Sequence, residues 1–417
     1  MLKPKGFTSR VIHTPFAKDD VNRALHQPIY SNAAFDFESA ENMELAFQGR
    51  LPVHAYSRIT NPTVENFELR IKQMTDALNV TALSSGMAAI SNVIFLLASS
   101  GTNIVVSNHL FGNTYVFFNS TIRDFGIEAR FCDLTDSEAV RKNIDGKTVA
   151  VFAESITNPQ LEVVDLALLA GIAHEKSVPF IVDSTLTPPN VFRAKDFGVD
   201  IDVISSTKCI SGGATSVGGL IVDYGNFDWS KSAKLAPLAK RFGPFAFNYK
   251  LRREIFRNLG ACLSPFAAYL QSLGLETLQL RFEKAVENCR ELAPFLKTLP
   301  QVKSVHYPGL KDSKYYEISK KQFGNYPGAM LTFDFTSKEE CFAFVNKLEL
   351  IKRATNVYDN KTLVIHPAST IYCDFSPADR ESMHVYDTTL RLSLGIEYAE
   401  DLKDDILQAL EGLGHGA

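Results

Sequence analysis

Residues Asp200 to Asp223 read DIDVISSTKCISGGATSVGGLIVD. A β-branched apolar run (Ile201, Val203, Ile204) ends in Ser205, Ser206, Thr207 and Lys208, and a glycine-rich loop leads into a second apolar run, Gly219 to Val222. A lysine set among hydroxyls at the end of a buried strand suits an amine that must be desolvated and held still, as one that forms a Schiff base must be. A solvated loop lysine is the competing reading. This stretch alone leaves both open, and the chain around it decides.

Working outward, short apolar runs alternate with helical stretches from Val80 to Val222. Strands are expected at 81–83, 103–106, 128–131, 148–154, 179–182, 203–205 and 219–222. Most lack a period of two, which is the pattern of strands buried on both faces. The helical stretches between them (88–98, 113–123, 136–142 and 165–176) predict an open, mostly parallel seven-stranded sheet with helices on both faces. Ligands of such sheets bind beyond the carboxyl ends of the strands.

The polar residues at those ends form a set. Ser84-Ser85-Gly86-Met87 opens into an apolar helix, whose free N–H groups and dipole offer a phosphate cradle. Glu154, Asn158-Pro159, Asp183, Ser205, Thr207 and Lys208 end the later strands. Each has a plainer role open to it: Gly86 as turn geometry, Asp183 as a helix cap, Asn158 as a turn residue. Jointly, a lysine amine, an acid for a ring nitrogen and a phosphate cradle meet the needs of pyridoxal phosphate.

The flanks have a different texture. Residues 1–60, with Pro4, Pro15, Pro28 and Pro52 and one short helix expected near Ser39 to Gln48, read as an arm that packs on a neighbouring subunit. Residues 61–255 form the large domain, with 243–258 read as a surface linker. Residues 256–417 form a smaller α+β domain: helices 264–280 and 281–299, strands 301–306, 329–335, 362–365 and 390–394, and a closing amphipathic helix 399–413. Arg391, in the strand-like RLSLGIE, could clamp a carboxylate or form a structural ion pair.

Composition narrows the function classes. With 417 residues, 45% hydrophobic content and a net charge of −4, nothing favours nucleic acid or membrane binding, and a two-domain soluble enzyme is expected. Six cysteines without a C-x-x-C pair suit free thiols in a reducing cytoplasm. The N-terminus lacks the apolar core of a signal peptide. The nine histidines include no metal-binding pair, so no metal is expected.

From about Pro28 to Leu410 the chain resembles the Cys/Met-metabolism family of fold-type I pyridoxal-phosphate enzymes. The matching motifs are Tyr56-Ser57-Arg58 with Asn61-Pro62-Thr63, Ser85-Gly86-Met87, Glu154 with Asn158-Pro159, Asp183, and Ser205-x-Thr207-Lys208. Asn158 to Asp183 and Asp183 to Lys208 are each 25 residues apart, the family's spacing. Residues 258–281, and 356–370 with Asn356 where synthases and lyases usually carry serine, are similar to the O-acetylhomoserine sulfhydrylase branch.

The resemblance implies an enzyme that replaces the acetyl group of O-acetyl-L-homoserine with sulfide to make L-homocysteine. Methionine γ-lyase or cystathionine γ-synthase or lyase activity is the alternative on the same scaffold. It implies that Lys208 carries the cofactor and moves protons, Asp183 faces the ring nitrogen, Asn158 the ring oxygen, and Phe111 the ring face. Gly86, Met87, Ser205 and Thr207 would hold the phosphate, joined by Tyr56 and Arg58 from a neighbouring subunit, Tyr56 also acting in catalysis. Arg391 and Asn356 would hold the substrate carboxylate. A homotetramer of two active dimers follows.

The sequence also departs from the family pattern. Phe111 stands where the family usually has a tyrosine, so stacking is kept and the phenol is lost. That change favours acetate, which leaves without a proton, over a thiolate. Cys209 replaces an aromatic, SGGATSVGG lacks a common histidine, Ile371-Tyr372 replaces a Thr-His pair, and residues 373–383 are atypical.

Overall fold

The computed structural model describes residues 5–16 and 20–412. Pro4 and Leu413, placed by the sequence in the arm and the last helix, lie outside the described residues.

Seven strands form the main sheet: β1 Asn79–Leu83, β2 Asn103–Ser107, β3 Glu128–Cys132, β4 Thr148–Glu154, β5 Phe180–Asp183, β6 Ile201–Ile204 and β7 Gly219–Asp223. Their order is β1-β7-β6-β5-β4-β2-β3. The five strands from β6 to β3 run parallel, while β7 is antiparallel to both β6 and β1. The β-branched runs read from the sequence are buried on both faces: Val182 packs into one core layer and Ile181 into the other. Asp136 and Asp165 cap helices Ser137–Asn143 and Leu166–Glu175, accepting from backbone N–H groups at the first turn.

Beyond residue 300 a second sheet forms from β8 Ser304–His306, β9 Met330–Asp334, β10 Lys352–Arg353, β11 Leu363–Ile365 and β12 Thr389–Ser393, in the order β10-β11-β12-β9-β8. Its apolar face has its own core, covered by helix Ala399–Leu410 through Leu402 and Ile406.

Three expectations need correction. Residues 243–258 are not a linker. Helical turns run from Ala236 to Leu259, Phe247 stacks on Trp229 at 5.0 Å, and Leu251 and Phe256 are buried. Their spacing of four and five marks a helical face that Gly243-Pro244 and the surrounding arginines disguise. A helix at Phe7–Ile12 also went unread, being short and broken by polar residues; it buries Val11, and Arg10 donates to the carbonyl of Met74. The break expected between Leu280 and Arg281 lies at Thr277, and helix Leu278–Lys297 continues through Pro294.

The start of helix Gly86–Leu97 is pressed between β7 and the end of β6. A Cβ on Gly86 would lie 2.8 Å from that of Ser205, and one on Gly219 would lie 2.0 Å from the carbonyl oxygen of Ser85. Neither neighbour can give way without moving backbone. Gly219→Ala is therefore expected to destabilise the protein by at least about 2 kcal/mol, read as a lowered melting temperature, and to lower cofactor occupancy with it.

Candidate active site

The parallel register sets Glu154 of β4 beside Asp183 of β5, and Asp183 beside Val203 of β6. The carboxyl ends of three strands thus deliver their polar residues to one rim. They open on a cavity of about 310 Å³, lined by Gly86, Met87, Phe111, Asn158, Asp183, Ser205, Thr207 and Lys208. All eight were named from the sequence.

One end of this cavity is a helix start. Ser85 caps helix Gly86–Leu97, its hydroxyl accepting from the N–H of Ala88 at 3.0 Å. Thr207 hydroxyl ties the lysine loop to Gly218, donating to its carbonyl (3.1 Å) and accepting from its N–H (3.0 Å). Ser205 N–H donates to Thr185 hydroxyl at 2.8 Å. Backbone N–H groups, small residues and hydroxyls meet here, which is the chemistry of a phosphate cradle.

Asp183 ends β5, with Oδ1 accepting from the N–H of Thr185 at 2.9 Å. Glu154 accepts from the N–H groups of Phe111 (2.7 Å) and Asn158 (3.3 Å). Burial raises the pKa of both carboxyls, and at Glu154 the Asp183 charge adds to the rise. At Asp183 the Thr185 bonds and the Lys208 charge oppose that rise. Glu154 is lifted well above the usual carboxylate range, and the backbone N–H groups of Phe111 and Asn158 oppose that rise.

Lys208 Nζ donates to Asn356 Oδ1 at 2.8 Å. Burial, with the nearby Arg391 guanidinium, lowers its pKa from 10.5 to about 8. The neutral amine is the form that adds to an aldehyde. In apo-protein, the rate of pyridoxal phosphate addition, followed by visible absorbance, is expected to rise with pH around a midpoint near 8. The same shift makes the apo-protein gain stability as pH rises from about 8 toward 10.5, where the folded state has released a proton that the unfolded chain retains.

Arg391 lies on β12, buried, between Thr332 and Ile365 of the neighbouring strands. Nη1 donates to Asn158 Oδ1 at 2.9 Å and Nη2 to the carbonyl of Asn356 at 3.2 Å, while Nε is buried without a partner. No carboxylate pairs with it among the described residues, so it is not the structural ion pair that the sequence left open. Asn356 turns its amide oxygen to Lys208 rather than presenting a donor alone, a contact that sequence reading did not foresee.

Tyr56 and Arg58 do not line this cavity. Tyr56 is 43% exposed, and Arg58 lies over its ring at 5.5 Å and donates to the carbonyl of Arg257. Thr114, Thr185, Thr355 and Val357 do line it. Thr185 stood beside Asp183 in the sequence and Val357 beside Asn356; Thr114, on helix Gly112–Asn119, and Thr355 were not singled out there.

The fit to pyridoxal phosphate rests on a desolvated amine, an anion at the rim, a glycine-built helix start and an unpartnered guanidinium donor. Fold and site together define a fold-type I pyridoxal-phosphate enzyme. Residues 8–411 match the family described as Cys/Met metabolism PLP-dependent enzymes, and the chain belongs to that family.

It is 36% identical to the O-acetyl-L-homoserine sulfhydrylase of Corynebacterium glutamicum, over 98% of this chain and 96% of that one. A solved O-acetylhomoserine sulfhydrylase of Wolinella succinogenes, described as catalysing sulfur transfer by a novel mechanism, is 45% identical with a TM-score of 0.79, over 97% of this chain and all of that one. A Campylobacter jejuni structure described as an O-acetylhomoserine (thiol)-lyase, with a pyridoxyl-lysine phosphate in it, is 32% identical with a TM-score of 0.93, over 98% of this chain and all of that one. Among the described residues no helix is long and apolar enough to cross a membrane.

Proposed function

We propose that this protein is a pyridoxal-phosphate-dependent γ-replacement enzyme that converts O-acetyl-L-homoserine and sulfide to L-homocysteine and acetate. The observation that carries the choice of leaving group is Phe111. It offers the cavity an aromatic face without a phenolic proton, and acetate departs without general-acid help where a thiolate benefits from it.

Pyridoxal phosphate, when bound, supplies the electron sink for the carbanion at Cα. Gly86, Met87, Ser205 and Thr207 hold its phosphate, Phe111 its ring face, and Asn158 its ring oxygen. Asp183 keeps the ring nitrogen protonated, because a buried anion stabilises a neighbouring cation. Lys208 Nζ takes the proton from Cα and returns it; an amine with a pKa of about 8 exchanges protons near neutrality. Arg391, whose Nε is buried without a partner, binds the α-carboxylate, and Asn356 holds Lys208 between proton transfers.

Tyr56 and Arg58 serve the cavity of a neighbouring subunit, within a homotetramer of two active dimers. Their absence from the lining of their own cavity and the exposed Val21 and Leu25 of the arm support this reading. The chain divides into an arm (1–60), a large domain (61–255) and a small domain (256–417), a division that the two separate sheets support. The cytoplasm is its compartment, in keeping with six free cysteines.

A panel of acetyl-, succinyl- and phospho-homoserine with sulfide tests the substrate. The acetyl ester is expected to give the highest kcat/KM for homocysteine formation. A succinyl or phospho ester that outpaces it would overturn the choice.

A further inference from the structure

The Ile371-Tyr372 pair, which broke the family pattern, has a place in the site. Tyr372 is fully buried, and its hydroxyl lies 2.8 Å from the carbonyl of Leu110 and 3.1 Å from that of Asn158. Leu110 immediately precedes Phe111. One phenolic hydrogen thus reaches both the loop that carries the stacking ring and the loop that carries the ring-oxygen donor.

Glu154 bridges the same two loops from the other side, through the N–H groups of Phe111 and Asn158. Asn158 is then held at backbone N–H, backbone carbonyl and side-chain Oδ1, the last by Arg391. Tyr372 is itself fixed. Its N–H donates to the carbonyl of Pro367 at 3.1 Å, its ring lies 5.4 Å from Phe375, and the carbonyl of Ile371 sits so close to Gly112 that a Cβ there would come within 2.5 Å.

We infer that Tyr372 is a positioning residue for the reaction: its buried hydroxyl locks the Phe111 and Asn158 loops together and holds the stacking face and ring-oxygen donor in register with Lys208. The inference rests on the roles proposed for those three residues. A wild-type protein whose visible cofactor band does not depend on Lys208 would defeat those roles themselves. Tyr372→Phe is read only against a wild type that has the band.

Tyr372→Phe keeps the ring and removes the donor. It is expected to lower kcat at least tenfold with KM for the acylated amino acid within threefold, and to halve the visible circular dichroism of the bound cofactor, since a loosened ring loses its fixed asymmetric surroundings. Cofactor content and melting temperature, measured on the same samples, remove any loss due to unfolded protein. A folded variant with kcat and visible dichroism both within twofold of wild type overturns the inference.

Gly112→Ala keeps the test open if Tyr372→Phe does not fold. Its new methyl pushes the 371–372 segment away from the Phe111 loop while leaving Tyr372 intact. The same paired loss of kcat and dichroism is expected, and wild-type values for both contradict the proposal.

Discussion

Lys208→Ala is expected to fold, to lose the lysine-dependent visible band, and to lose turnover by on the order of 10⁴-fold or more. The side chain ends in the cavity, where burial disfavours its charge and Asn356 holds its Nζ. On the roles proposed for it, its removal deletes both the covalent tether and the base at Cα. Added amines are expected to restore a small fraction of the activity, since they supply a proton acceptor but not its position. Absorbance and steady-state kinetics on the same preparation check both statements. A folded variant with an unchanged band would place the tether elsewhere.

Asp183→Asn is expected to lower kcat by about 10²–10³-fold, the usual scale for removing one preorganised electrostatic group from a buried site. The variant keeps the side chain's shape and loses the anion. The Glu154–Asp183 pair adds a second readout. Glu154 is lifted by burial and by the Asp183 charge, so losing that charge lets its pKa fall. The pH profile of kcat should therefore change shape as well as height, which a simple loss of packing would not do. Profiles of both proteins across neutral pH provide the check.

The rim was legible because parallel strands put their last residues side by side. Glu154 and Asp183 each end an apolar run of ordinary length, Lys208 follows another by four residues, and period-free β-branched strands predict a sheet covered on both faces. Four of the small sheet's strands were legible as short strand-like runs, while β10, Lys352–Arg353, is two exposed charged residues that no pattern marks. What stayed hidden depends on contacts between distant segments. Tyr372 reaches Leu110 and Asn158 across 262 and 214 residues. Asn356 reaches Lys208 across 148. No local pattern marks such pairs.

The helical stretch 236–259 was missed for a different reason. Its arginines and Gly243-Pro244 resemble a linker, while Phe247, Leu251 and Phe256 bury themselves against Trp229 and the sheet. Tertiary packing overrode composition there.

The proposed reaction replaces the substrate's γ-acetoxy group with sulfide, with Lys208 as the base at Cα. Incubating the holoenzyme with O-acetyl-L-homoserine, with and without sulfide, and quantifying homocysteine and 2-oxobutyrate together, tests it most directly. Homocysteine formed stoichiometrically with acetate whenever sulfide is present, and absent in Lys208→Ala, is the expected result. Rapid 2-oxobutyrate release in the presence of sulfide, with no homocysteine, would contradict it.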